Sequence, residues 1–421
     1  MYEARQDITK AFANSGIELL LGIPNELVPK LAANLAEAFN WVTQNVVSFP
    51  NSGISAIIVG NEWLLDPLHD PSLLLPAMLN VYTVLTTSQL LSLDLTSIKV
   101  STSHALNVLG ISFPPSSAQF DASLLSVLTP IFKFLEKTGS FFMVNIFPYY
   151  AYVNDANVSL DLALFEAKEA VRDPKTGLNY TNLFDLQLDA VYAALDAAIL
   201  QIGKGLVEAT AGDNGNATES DPRASALNKG QLRRMKDQQL ERRSSNSASA
   251  ANRRIRPRVL VGESGWPSGS GGSGSVPHSS QVAHLQLSAA GVMPPAAHAV
   301  MSRGNDVDVA LRVQADGQRL SAAELVGSVR GASAPAPAGG GCGFSARVCG
   351  AATVENARKY NQGLIRHVRQ AGRGTPANPT TPIHAFIFAL FDENLKQPPG
   401  PEQHYGLFFP TGQPVYPITF H

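Results

Sequence analysis

Cysteine is almost missing from this chain. Its 421 residues hold only Cys342 and Cys349, which excludes a fold stapled together by disulfides. Their spacing fits either a small local loop closed in an oxidising compartment or two free thiols. No apolar run approaches the roughly 20 residues that a membrane-spanning helix needs. The opening Met1-Tyr2-Glu3-Ala4-Arg5 lacks the apolar stretch of a secretory leader. The nine histidines include no His-Glu-x-x-His pair and join no Cys/His cluster, so zinc has no evident ligand set. There is no Gly-x-x-x-x-Gly-Lys-Ser/Thr loop, and the Gly-rich tract after Ser268 opens no helix, which removes the usual phosphate cradle. A large charge of either sign is also absent. The net charge of −2 gives no reason to expect a nucleic-acid partner.

That near-neutral average hides a contrast. Between Lys229 and Arg258 ten Lys or Arg face two acids, Asp237 and Glu241, and the remainder carries 22 basic and 32 acidic residues. An acidic body therefore carries one basic segment. A composition of 44% hydrophobic and 8% aromatic residues suits a chain with a substantial core. The triplets Asn157-Val158-Ser159, Asn179-Tyr180-Thr181 and Asn216-Ala217-Thr218 are glycosylation acceptors only in a secreted protein.

Up to about residue 206 strand and helix patterns alternate. Ile17–Ile23, Ile54–Gly60, Ile98–Thr102 and Phe141–Asn145 read as strands. Lys30–Gln44, with Leu31, Leu35, Ala38 and Val42 on one face, Leu73–Leu91, Leu124–Lys137 and Phe184–Ile202 read as helices. Beyond Val207 the chain turns rich in Ala, Ser, Asn and Arg. One strand and turn return at 258–268, a Gly/Ser/Ala/Pro-rich tract follows, and order resumes with a helix over Thr353–Gln370 and a strand over Ile383–Leu390. The pieces are 1–206, a basic low-complexity insertion at 207–257, a strand at 258–268, a Gly/Ala/Ser-rich insertion at 269–349, and 350–421. The insertions are expected to be flexible and to interrupt one domain instead of joining two. Alternation of this kind gives an α/β fold with a parallel sheet. Six strand-helix steps suit a doubly wound sheet, and a barrel would need two more.

Two of these strands end alike. Ala56-Ile57-Ile58-Val59 runs into Gly60-Asn61-Glu62, and Arg258-Val259-Leu260-Val261 runs into Gly262-Glu263-Ser264-Gly265-Trp266-Pro267. Carboxylates at the carboxyl ends of parallel strands stand where α/β folds place active sites. A facing pair of Glu residues is the minimal equipment for cleaving a glycosidic bond. The plainer reading is that Asn61 and Glu62 cap the next helix and that Glu263 bonds turn amides.

These endings, with Ile98-Lys99-Val100-Ser101-Thr102, Val144-Asn145-Ile146-Phe147-Pro148-Tyr149-Tyr150-Ala151-Tyr152, Tyr180-Thr181-Asn182-Leu183-Phe184-Asp185, Phe388-Ala389-Leu390-Phe391-Asp392-Glu393-Asn394-Leu395-Lys396 and His404-Tyr405-Gly406-Leu407-Phe408, resemble plant-type endo-β-1,3-glucanases of glycoside hydrolase family 17. The resemblance implies a (β/α)8 TIM barrel that hydrolyses β-1,3-glucan with retention, without a cofactor or metal. It makes Glu62 the general acid/base and Glu263 the nucleophile. It places Asn61 on the sugar 2-hydroxyl and makes Tyr2, Asn145, Tyr149, Trp266, Glu393 and Lys396 substrate-binding. Trp266 has two readings, a face for a pyranose ring or packing beneath the Glu263 loop. Glu393 and Lys396 would also pass as a surface ion pair. Phe147 stands where the family usually carries Tyr.

The chain departs from the family at its start, which corresponds to the end of the second strand. The barrel is thus expected to be incomplete, its first strand and most of its second missing, with an unfilled interior layer. The expected partner is a β-1,3-glucan polysaccharide, with no nucleic acid and no membrane span, and the protein is expected to be a monomer. The family resemblance points to an extracellular or cell-wall location. The alternative is a catalytically silent β-glucan-binding protein on a damaged barrel.

Overall fold

The computed structural model describes residues 3–87, 94–213, 256–270, 298–300, 310–312, 346–370, 374–397 and 399–420, with backbone alone over 203–213, 298–300, 310–312 and 346. Six strands form one sheet: β1 (Leu19–Ile23), β2 (Ile54–Asn61), β3 (Lys99–Ala105), β4 (Phe141–Asn145), β5 (Arg258–Ser264) and β6 (Ala385–Ile387). They lie side by side in chain order, and every neighbouring pair is parallel. A doubly wound sheet reverses its order at a switch point, whereas a (β/α)8 barrel does not. The sheet is therefore an arc of a TIM barrel, and among the described residues it ends at β1 and β6.

Each crossover is helical: α1 (Val28–Ala33) and α2 (Leu35–Val42), α3 (Leu74–Thr87), α4 (Leu125–Thr138), α5 (Leu183–Asp213) and α6 (Val354–Arg369). Alternation along each strand separates two faces. Leu19, Leu21 and Ile23 of β1, Ile57 and Val59 of β2, Phe142 and Val144 of β4, and Val259 and Val261 of β5 share one core with the helices. Among the described residues the apolar cluster on the opposite face is small: Ala56, Ile58, Met143 and Leu260, flanked by Leu20 and Phe141. Phe386, which alternates with core-facing Ala385 and Ile387 on β6, is 43% exposed. The thin inner layer matches the interior expected of a barrel short of strands.

Three expected elements come out differently. The helix expected over Lys30–Gln44 is broken at Asn34, whose side chain accepts from the Ala36 amide and caps α2. The break resets the helical phase and leaves Leu35 46% exposed. The last strand is three residues long, not eight. The backbone of α5 continues to Asp213, past the boundary expected at 206. His298–Val300 and Ala310–Arg312 pair antiparallel. The expectations for the rest of the two insertions lie outside the described residues.

Two arginines anchor the described segments that begin at 256 and 346. Arg256, just before β5, binds Asp196 at 3.1 Å and Asn378 at 3.0 Å and lies 4.4 Å from the Tyr192 ring centroid. Arg347 donates to the carbonyls of Tyr152, Asp155 and Val158 and lies 3.9 Å from the Tyr152 ring centroid. Cys349, in the helix Ala346–Ala351, is disulfide-bonded and is not a free thiol.

Candidate active site

The carboxyl ends of β2 to β5 meet at one mouth of the arc, and two β-bulges shape it. The β2–β3 register slips between Ile58 and Asn61, and the β4–β5 register slips so that Asn145 faces Glu263 across Gly262. A bulge re-aims the side chain that follows it. Glycine is required at each. Gly60 has φ +69°, and a Cβ there would lie 3.1 Å from Asn25 Oδ1. A Cβ on Gly262 would lie 2.8 Å from Asn145 Oδ1 and 2.9 Å from Met143.

Asn145 is the hub. The buried Ser103 hydroxyl donates to its Oδ1 at 2.8 Å, which turns its amide nitrogen outward. That nitrogen donates to Glu62 Oε1 at 2.8 Å and to Asn61 Oδ1 at 3.2 Å. On the neighbouring strand Asn145 pairs in register with Glu263, and the Ile146 amide donates to the Glu263 carbonyl at 2.9 Å. Asn61 is fixed by Asn25, which accepts from its amide at 2.8 Å and donates to its carbonyl at 3.0 Å. Glu62 itself has φ +53°, a left-handed conformation that disfavours non-glycine residues. Its amide donates to the Ser103 carbonyl at 2.8 Å. From β2 the Glu62 carboxylate thus passes over β3 to reach β4, which requires a curled sheet. Both Glu62 and Glu263 are half-buried.

A second polar group follows β6. Lys396 Nζ lies 2.9 Å from Glu402 Oε2 and 3.3 Å from Glu393 Oε2, and the Tyr150 hydroxyl donates to the other Glu402 oxygen. Burial disfavours the Lys396 ammonium, but Glu402 and then Glu393 outweigh it and raise its pKa. The Phe388 amide donates to the Ser264 carbonyl at 2.9 Å, which ties this segment to the residue after Glu263. Glu393 and Lys396 are therefore joined into a three-charge network, not an isolated pair.

The remaining candidates are placed differently. Trp266 is fully buried, and its indole N–H donates to the Ala351 carbonyl at 2.8 Å, so the packing role is the one this geometry carries. Tyr149 is buried edge-on to Trp266 with ring centroids 5.2 Å apart. Its hydroxyl has no hydrogen-bond partner among the described residues, and burial, with Glu402 nearby, pushes the phenol well above its usual range. Phe147 packs against Phe388 and Tyr405. Tyr2 lies outside the described residues. Asn25, Ser103, Tyr150 and Glu402 were not singled out by sequence reasoning. The one available signal was Asn25 directly after Pro24 at a strand end, and it reads as an ordinary turn.

Residues 1–234 and 341–420 match the family described as Glycosyl hydrolases family 17. β5 and Glu263 lie in the unmatched stretch between, yet β5 pairs with β4 and β6 within the sheet. Glucan endo-1,3-beta-glucosidase 11 of Arabidopsis thaliana is 30% identical over 426 residues, covering 100% of this chain and 68% of that protein. Glucan endo-1,3-beta-glucosidase GV of Hordeum vulgare is 31% identical, with coverage of 100% and 88%. The chain spans only about half, 54%, of Arabidopsis glucan endo-1,3-beta-glucosidase 12. Among solved structures, CJP38, a beta-1,3-glucanase and allergen of Cryptomeria japonica pollen, superposes with a TM-score of 0.62 at 30% identity, covering 100% of this chain and 88% of that one. Strand order, the family match over most of the length and relatives aligned along the whole of this chain agree: the chain belongs to glycosyl hydrolase family 17.

Proposed function

We propose that this chain hydrolyses internal β-1,3-glucosidic bonds of β-1,3-glucans with retention of configuration, with Glu62 as acid/base and Glu263 as nucleophile. The observation that carries the reading is the position of Asn145. It holds the Glu62 carboxylate by a side-chain hydrogen bond and pairs in register with Glu263. Neighbouring strands lie about 4.8 Å apart, so this arrangement suits the roughly 5–5.5 Å carboxyl separation of retaining glycosidases.

In the first step the Glu263 carboxylate attacks the anomeric carbon while the glycosidic C–O bond breaks. The departing oxygen takes the Glu62 proton and leaves as a free 3-hydroxyl. In the second step the Glu62 carboxylate removes a proton from water, whose oxygen displaces Glu263 and restores the β anomer. Asn61, fixed by Asn25 and Asn145, stands ready to bond the 2-hydroxyl. Glu393 and Lys396 contact sugar hydroxyls further along the cleft. Asn145 acts mainly by positioning Glu62, and Trp266 and Tyr149 support the floor. The disulfide at Cys349 supports an oxidising, extracellular location, where the chain acts as a monomer at the cell wall.

Reducing-sugar release from laminarin, measured beside a binding titration, tests the proposal. Glu263→Gln abolishes turnover and spares binding. Binding without hydrolysis by the parent protein would instead identify a silent glucan-binding barrel.

A further inference from the structure

The backbone of Glu62 is strained, and a φ of +53° persists in a non-glycine residue only when its surroundings enforce it. On its N-terminal side the enforcement is plain, because Asn25 clamps both backbone groups of Asn61. On its C-terminal side the chain leaves in a turn, with the Leu65 amide donating to the Glu62 carbonyl at 3.0 Å. The loop then folds back on itself. The His69 ring lies flat on the Trp63 indole, with centroids 3.8 Å apart and planes 1° from parallel. His69 Nδ1 is 3.2 Å from the Trp63 carbonyl, and since a carbonyl only accepts, Nδ1 carries the proton. The Trp63 indole N–H donates to the Asp70 carbonyl at 3.0 Å. Trp63 is buried, whereas the His69 side chain is 24% exposed. One stack and two hydrogen bonds thus close an eight-residue loop directly onto the residue after Glu62.

We propose that His69 is a positioning residue for the reaction, a clasp that fixes the Glu62 backbone from the C-terminal side as Asn25 fixes it from the other. The inference rests on the reading of Glu62 as acid/base. His69 touches no reacting atom. It acts through Trp63, and losing it lets the Glu62 carboxyl sample orientations from which it cannot protonate the leaving oxygen.

The test compares His69→Ala, which removes stack and hydrogen bond, with His69→Phe, which keeps the stack. Both are measured in whichever form of the protein hydrolyses laminarin, the 421-residue chain or that chain extended by two strand-helix units. His69→Ala is expected to lower kcat on laminarin about tenfold, a fraction of the roughly 10²–10⁴ that acid–base catalysis contributes, and to leave KM within about twofold. A β-1,3-gluco-oligosaccharide with a dinitrophenyl leaving group needs no proton donor, so its pre-steady-state burst rate stays at the parent level. His69→Phe recovers about half of the lost rate. An unchanged kcat for His69→Ala overturns the clasp, as does an equal loss on both substrates, the mark of general damage to the fold. If no form hydrolyses laminarin, the acid/base reading itself falls and takes the clasp with it.

Discussion

Replacing His104 by Leu should flatten the acid side of the stability curve. His104 sits on the helix-facing side of β3, with its ring 5.0 Å from that of Phe142, and neither ring nitrogen has a hydrogen-bond partner among the described residues. Burial disfavours the imidazolium and pushes the group down from 6.5 to about 4. As pH falls through 6.5 the unfolded chain takes up a proton at this residue, and the folded chain does not until about 4. Stability from this source is therefore complete above 6.5 and is lost progressively on the way down to about 4. At about 1.4 kcal/mol per unit the loss approaches roughly 3 kcal/mol, a large share of the roughly 5–15 kcal/mol that holds a typical protein folded. Leucine fills a similar volume and has no polar atom to strand. Urea midpoints followed by circular dichroism between about pH 7.5 and 4.5 should differ by a constant offset above pH 6.5, and the gap should shift in the variant's favour on acidification. Carboxylates elsewhere move both curves alike, so the difference isolates residue 104. Parallel curves over the whole range would refute the reasoning.

Two further outcomes follow from the site and the sheet. Asn145→Ala removes a donor to a carboxylate, worth about 1.5–3 kcal/mol, and should slow laminarin hydrolysis by roughly 10–100-fold. A rate within twofold of the parent would remove Asn145 from the hub. Extending the chain at its N-terminus by two strand-helix units gives β1 and β6 new neighbours and covers the half-exposed Phe386. The extended protein should melt higher and hydrolyse laminarin faster than the 421-residue chain, and equal melting temperature and activity would count against an incomplete barrel.

β2, β4 and β5 were legible because each is a short apolar run ended by a polar residue, and β4 came out with the expected bounds, Phe141 to Asn145; the largely polar β3 runs to Ala105, past the expected Thr102. The endings Gly60-Asn61-Glu62 and Gly262-Glu263 were legible for the same reason, and both lie at bulges that the glycines permit. What escaped was long-range pairing. Asn25 acts 36 residues away on Asn61, and Glu62 meets Asn145 from 83 residues away. Neither contact leaves a local periodicity to read. Helical spacing was also followed too far at Asn34, where a side-chain cap outweighed the continuing apolar stripe. Trp266 could not be resolved from sequence because an indole serves equally well under a sugar or under a loop, and its full burial and bond to Ala351 are long-range features that no local pattern shows.

The two guanidinium anchors have a consequence for how this gene product can change. Because Arg256 and Arg347 each lie on a tyrosine face close to the head of a described segment, each fixes where its segment begins against the fold. For a loop in general, doubling the length costs only about 0.6 kcal/mol in closure entropy. Evolution, or an engineer wishing to graft a foreign module onto this scaffold, therefore finds two ports where sequence can be added or deleted while the strands on either side stay put.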